Sequence, residues 1–217
     1  NGIRDSERNS NYLNTGPEYF ISDKTSIVTS YVFRKSDGST NNTNNVDQNF
    51  NGITKVSERI ENETEKGDTN EFSINLTHQF NSKGHEITMD YQKEKSLEYE
   101  DGLISNSQLK PLLTRYLSEK AATDEVQKSE LFKIDYVLPI KEDGQFEFGF
   151  RRSNQHQNID YLAENEDSNG EFINDTNLSN NLLYNEKVNA FYSQYGNKKN
   201  NLSFLLGLRY EESKTTV

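Results

Sequence analysis

Three segments of this chain alternate between apolar and polar side chains at every second residue, and nothing else in it limits the fold so tightly. They are Phe72-Ser-Ile-Asn-Leu-Thr-His-Gln-Phe80, Glu86-Ile-Thr-Met-Asp-Tyr-Gln92 and Gln145-Phe-Glu-Phe-Gly-Phe-Arg151. A period of two produces a strand with one apolar and one polar face. The first two segments are joined by Asn81-Ser-Lys-Gly84, a short glycine-ended turn, which predicts an antiparallel hairpin.

Average hydropathy conflicts with an ordinary soluble core. Hydrophobic residues make up 31% of the chain and mean hydropathy is -0.99, whereas soluble domains carry roughly 45–50% apolar residues by a looser count that includes Gly. A net charge of -11 would suit a disordered chain. Against disorder stand 12 Phe and 12 Tyr, gathered in strand-like runs. A membrane β-barrel resolves the conflict: only alternate residues of each strand meet lipid, so the average stays polar while the outer surface is greasy. No run approaches the ~20 apolar residues of a membrane helix. The absence of cysteine excludes disulfide and thiolate chemistry. A pI near 4.8 argues against nucleic acid as a partner, because phosphate binding requires basic patches.

Four short turns recur about sixty residues apart: Ser22-Asp23-Lys24, Asn81-Ser-Lys-Gly84, Lys141-Glu-Asp-Gly144 and Gly196-Asn-Lys-Lys199. Long polar stretches separate them, over about 36–69, 96–128 and 154–184. The pattern predicts about eight strands, near 10–21, 25–36, 70–80, 85–97, 129–139, 145–155, 185–196 and 200–212. Most reach the ~9–11 residues that a tilted membrane strand needs. The expected fold is all-β: an antiparallel up-and-down transmembrane barrel segment with short periplasmic turns and long extracellular loops.

Parity names the faces. The lipid side carries Ile27, Thr29, Tyr31 and Phe33, then Phe72, Ile74, Leu76, His78 and Phe80, then Ile87, Met89 and Tyr91. It continues through Phe132, Ile134, Tyr136 and Leu138 to Phe146, Phe148 and Phe150. In the last pair, Val188, Ala190 and Tyr192 are expected beside Leu202, Phe204, Leu206, Leu208 and Tyr210. The opposite, lumen-facing set includes Asp90, Lys133, Asp135, Glu147, Arg151, Arg209 and Glu211, charges of both signs that suit a watery or plugged interior. In a soluble sandwich the same face would simply meet solvent. The asymmetry between short turns and long loops favours the barrel. Tyr19, Phe20, Phe80, Phe146 and Tyr195, beside the short turns, fit an interfacial aromatic girdle.

Within the long stretches, Ser39-Thr-Asn-Asn-Thr-Asn-Asn45 reads as a low-complexity loop tip, and Ile53–Ile60 as a strand extension above the membrane. Leu109, Leu112, Leu113, Tyr116 and Leu117 have helical spacing around Pro111 and suggest a turn or two of helix. Catalytic patterns are missing: His78, His85 and His156 form no ligand pair, and no G-x-S-x-G occurs. His85 reads as a solvated turn residue. Asn165, Asp167 and Asn169 before Gly170 match the opening of a calcium loop, but its last position is Thr176 and not Glu, and composition of this kind is ordinary in a hydrophilic loop. No enzyme and no cofactor is expected.

Three stretches carry a family resemblance: Thr77 to Ile87 with its Lys-Gly turn; Asp135-Tyr-Val-Leu-Pro139-Ile followed by Gly144-Gln-Phe-Glu-Phe-Gly149-Phe; and Leu205-Leu-Gly207-Leu-Arg209-Tyr-Glu211. Together they resemble the outer-membrane β-barrel family of Bacteroidetes, relatives of TonB-dependent receptors, over about residues 10–212. The resemblance implies a barrel of roughly twenty-two strands with a plug, in which residues 1–217 supply one partial barrel domain, without the plug or the remaining strands. It also implies outer-membrane localisation, contact with outer-membrane lipid, coupling to the TonB system through a segment ahead of this one, and uptake of a bulky nutrient such as a metal chelate, glycan or peptide. The alternatives are a complete eight-stranded barrel acting as anchor or adhesin, and a soluble β-sheet binding module. A closed eight-stranded barrel must pair its first strand with its last.

Overall fold

A computed structural model describes residues 1–199 and 201–217, and its secondary structure is entirely β. The strands are β1 (Gly2–Thr15), β2 (Glu18–Ser22), β3 (Thr25–Phe50), β4 (Ile53–Gln79), β5 (Glu86–Lys110), β6 (Thr114–Arg115), β7 (Glu119–Ile140), β8 (Gly144–Glu166), β9 (Phe172–Asn174), β10 (Asn180–Lys199) and β11 (Leu202–Thr216). They form a single antiparallel sheet in the order β1-β3-β4-β5-β7-β8-β10-β11, with the short β2, β6 and β9 attached to β3, β5 and β8. Eight long strands wind up and down as the alternation and the recurring turns predict.

Strand length departs from expectation. The stretches 36–69, 96–128 and 154–184 are mostly strand, not loop. β3 and β4 pair without interruption from Thr25 opposite His78 to Phe50 opposite Ile53. The ladder is made by backbone groups, so it continues past the bilayer wherever both faces can meet water and Asn, Ser, Thr and Glu side chains are at no disadvantage. The β3–β4 hairpin closes at Asn51-Gly52, with φ of 51° and 80°, the pair of left-handed residues that a two-residue hairpin turn needs. The run Ser39–Asn45 therefore lies inside β3 and not at the tip.

Three further boundaries differ. The helical spacing of Leu109–Leu117 produces no helix: Ser107 pairs with Arg115 and Gln108 with Thr114 in a small β-turn-back. Pro111 has no N–H and biases Lys110 toward extended backbone, and both effects oppose a helix. The first expected strand is split at Gly16-Pro17, where Pro17 cannot donate to a ladder, although its carbonyl accepts from Thr29 N at 3.0 Å. In the last hairpin, Gly196–Lys199 belongs to β10, with Gly196 opposite Leu205 and Lys199 opposite Leu202. β11 begins at Leu202, and the expected strand start at Asn200 falls outside the described residues.

Among the described residues the sheet has no second layer, and Ala163 and Ala190 are the only buried hydrophobic ones. A sheet with an apolar face must cover it, and here the cover has to come from outside the chain. β1 pairs with β3 alone and β11 with β10 alone, so the sheet is open at both edges.

Candidate functional site

Directly paired residues of antiparallel strands share a face, so register traces rows across the whole sheet. One row is Ile27, Leu76, Met89, Ile134, Phe150, Phe191 and Tyr210. The row beside it, toward the short turns, holds Thr25, His78, Ile87, Tyr136, Phe148, Ser193 and Leu208. This is the aromatic face, and its large side chains stay uncovered: Phe148 is 46% exposed and Phe191 57%.

One parity reading is corrected by register. Phe191 pairs with Tyr210, Ser193 with Leu208 and Tyr195 with Leu206, so these three residues join the aromatic face, and Val188, Ala190 and Tyr192 lie on the other. β10 carries aromatics at both parities, and alternation alone could not choose between them. Phe20 likewise pairs with Ser26 on the polar side, while Tyr19 pairs with Ile27 on the aromatic one.

The second face carries the charged candidates in adjacent rows. Asn75, Asp90, Lys133, Arg151, Ala190 and Glu211 form the first, and Thr77, Thr88, Asp135, Gly149, Tyr192 and Arg209 the next. Glu147 sits in the third, between Val137 and Gln194. Register thus brings Asp90, Lys133, Asp135, Glu147, Arg151, Arg209 and Glu211 onto one face.

Their side chains are tied laterally. Asn75 donates to Asp90. Lys133 pairs with Asp135, and Asp135 also accepts a hydrogen bond from the Tyr192 hydroxyl. The Arg209 guanidinium lies 5.7 Å from the Tyr192 ring centre and donates to Glu211 at 2.6 Å. Gln194 donates to Glu147 at 2.6 Å. The Tyr192 link crosses an entire strand, from β10 over Gly149 of β8 to Asp135 of β7. Gly149 makes this possible, since a Cβ there would sit 2.5 Å from the ring.

Beyond these rows, away from the short turns, the same face becomes acidic. It carries Glu61, Glu63, Glu65 and Glu71 of β4, Glu94, Glu98 and Glu100 of β5, Glu119 and Glu125 of β7, and Glu186 of β10. Partial burial, followed by the neighbouring Glu100, Glu65 and Glu61 charges, holds the Glu63 carboxyl above its ordinary range.

At the far ends of the strands, Glu166 anchors the 111–118 turn. Arg115 donates to both of its carboxylate oxygens, at 2.8 and 2.7 Å, and Ser118 N donates at 2.8 Å. Glu166 N in turn donates to Ser118 O at 2.9 Å. Ser118 is 2% exposed and Glu166 7%. The Ser118 N–H first and the Arg115 guanidinium second hold this carboxyl below its ordinary range. No local sequence signal marks the cluster, because its partners are 48 and 51 residues apart.

The calcium-like loop is occupied by its own hydrogen bonds. Asp167 Oδ1 accepts from the backbone N–H of Asn169 at 2.8 Å and of Glu171 at 2.9 Å, and Asn165 donates to Asp175. The three candidates Asn165, Asp167 and Asn169 thus build a turn, with Gly170 at φ 85°. Among the described residues no group of three or more His, Cys, Asp or Glu is placed to hold a metal. His85 is not a free turn residue: its ring stacks on Phe80 at 4.4 Å and bonds the Tyr136 hydroxyl. Phe80 also meets His78 edge-on at 4.6 Å, so both histidines join the aromatic cluster beside the short turns.

An all-β antiparallel meander with one uncovered aromatic face and one charged, internally bonded face defines a membrane-spanning β-barrel wall. The chain belongs to the outer membrane protein beta-barrel family, whose model matches residues 78–217. It is an outer-membrane protein. No curated protein sequence matches it. Among solved structures, it is similar to BauA, the ferric preacinetobactin receptor from Acinetobacter baumannii, at 9% identity and TM-score 0.46, covering 99% of this chain and 41% of that one. The ferric-catecholate import receptor Fiu from E. coli K12, in its open form, matches at 12% identity and TM-score 0.41, with 97% and 41% covered. The RagAB peptide transporter matches at 10% identity and TM-score 0.38, with 94% and 32% covered. The chain spans less than half the length of these structures.

Proposed function

We propose that this chain is one arc of the wall of a larger outer-membrane transporter of the TonB-dependent-receptor type found in Bacteroidetes, importing a bulky nutrient such as a metal chelate, glycan or peptide. The carrying observation is the open sheet: β1 and β11 each have a neighbour on one side only. An open edge presents backbone N–H and C=O groups that lipid cannot satisfy, so further strands must complete the circuit. A closed eight-stranded barrel would need a β1–β11 ladder, and none joins the described residues. On this reading residues 1–217 form part of a barrel domain whose plug and other strands lie elsewhere in the protein, and coupling to TonB occurs through that other part. The polar face, with Asp90, Lys133, Asp135, Glu147, Arg151, Arg209 and Glu211, lines the lumen, and the aromatic face meets lipid. The wall positions cargo and performs no chemistry on it.

The face assignment is tested by single cysteines in this stretch, which has none of its own, with any cysteine elsewhere in the protein replaced by serine. In the full-length protein in native membranes, cysteine at 90, 135 or 147 should react with a water-soluble maleimide, and cysteine at 89, 134 or 148 only with a lipid-soluble one. The reverse pattern refutes the assignment. The transport assignment predicts that a deletion strain loses growth on one class of bulky nutrient, and that the complemented strain loses uptake when the proton-motive force is collapsed.

A further inference from the structure

The aromatic face does not stay apolar along the strands. Moving away from the short turns, the rows that open with Ile27 and Thr29 are still rich in apolar side chains, and the next two are basic. In the row with Tyr31 and Phe72 stand Lys93, Glu130, Asn154, Lys187 and Lys214. In the row above it Lys95 lies directly opposite Lys128, which is opposite His156. Arg152 sits two rows below Lys95, in the row of Thr29, opposite Phe132. Six permanent cations thus share a patch with two carboxylates, Glu130 and Glu212, on a chain of net charge -11. At the same height the other face carries Glu71, Glu94 and Glu186, with Glu98 and Glu125 two rows further from the short turns, so the two faces differ in charge.

Two features of the patch call for an anionic occupant. Lys95 faces Lys128 and Lys187 faces Lys214 as direct cross-strand partners, and like charges in that position repel. Of these lysines Lys93 alone has a carboxylate partner, Glu130 at 3.1 Å, and its side chain is 61% exposed. Lys93, Lys128 and Lys187, with Glu130, Asn154 and His156, line a groove of about 270 Å³, in which three lysines outnumber the one carboxylate on this face. Its position names the occupant. A residue pointing outward one row beyond the apolar band lies at headgroup level, where long cationic side chains extend toward anionic lipid.

We propose that this patch binds the phosphate-bearing headgroup of a lipid in the leaflet remote from the short turns. The inference rests on the aromatic face being the lipid face. It assigns to Lys93, Lys128 and Lys187 the task of holding the lipid, and to the neighbouring Lys95, Arg152 and Lys214 that of deepening the local positive potential.

The test uses the full-length protein in phosphatidylcholine nanodiscs, with bisphosphorylated lipid A as probe, titrated and read by native mass spectrometry. The triple variant Lys93→Gln, Lys128→Gln, Lys187→Gln should bind about a hundredfold more weakly, some fivefold per lysine. The variant Glu94→Gln, Glu98→Gln, Glu125→Gln, on the other face, should not bind more weakly than the wild type. Equal binding by wild type and lysine variant, or equal binding of dephosphorylated lipid A, overturns the proposal. Displacement of the lipid by millimolar inorganic phosphate overturns it in favour of a free-phosphate site. Loss of binding only in the glutamate variant points to the other face and also overturns it. A fluorophore on Phe132→Cys, quenched by nitroxide-labelled lipid, separates the two levels of failure: quenching without lysine-dependent binding leaves the face assignment intact and removes this inference, while no quenching removes both.

Discussion

Tyr192 owes its reach to the residue it crosses. Its hydroxyl meets Asp135 two strands away because Gly149 offers no side chain beneath the ring. Gly149→Ala should push the ring off and break the bond at a cost of about 1–3 kcal/mol. Tyr192→Phe should cost about 1 kcal/mol in the wild type and nearly nothing in the Gly149→Ala background, a coupling that urea unfolding in lipid vesicles would measure as a double-mutant cycle. Glu166 supplies a pH prediction. Its carboxyl is held below the ordinary value of 4.5 by the Ser118 N–H and then by Arg115. The stability it lends the 111–118 turn is therefore fully present above that value and is lost as pH falls through the lowered one. Hydrogen exchange of the Ser118 amide, taken relative to its intrinsic rate at each pH, should speed up in that acid window in the wild type. In Glu166→Gln it should be fast already at pH 7 and lose this acid-dependent step.

The hairpin of β3 and β4 shows how far a strand can outrun its membrane segment. The two strands have 26 and 27 residues, against the ~9–11 that cross a bilayer. The sequence carried a local signal for this, since Asn51-Gly52 between Phe50 and Ile53 is the strongest short-range hairpin mark. It is masked by the weak apolar alternation on either side. Gly52→Val places a β-branched residue at φ 80° and should cost about 1–3 kcal/mol locally. Limited proteolysis should then cut within 45–60 while the region around Phe72–Gln79 remains protected. Leu109–Leu117 taught the opposite lesson: a helical spacing of leucines has no force where Pro111 and the neighbouring ladder both favour extended backbone.

Across the whole molecule, two faces with different surroundings follow from one period of two. Ile134 and Thr88 occupy opposite faces at adjacent levels of the sheet. Ile134→Arg should destabilise the full-length protein in lipid by about 2–4 kcal/mol, the cost of a cation at the lipid face near the bilayer midplane, and Thr88→Arg by less than about 1 kcal/mol on a hydrated lumen wall. Equal penalties at both positions would show that the sheet has no lipid-facing side. The open edges of β1 and β11 set the scale of assembly, because neither edge can remain bare in a bilayer.

Alternation and turn chemistry, both local, were enough to read off the fold class, the number of principal strands though not their length, the first three short turns and the common face of Asp90, Lys133, Asp135, Glu147, Arg151, Arg209 and Glu211. They were enough because side chains alternate along any strand whatever lies beside it. Register was not local. It moved Tyr192 from the apolar set to the polar one, turned the polar stretches into strands, and set Lys95 against Lys128. Only pairing between segments far apart in the chain decides which residues become neighbours, and with it which face carries each charge.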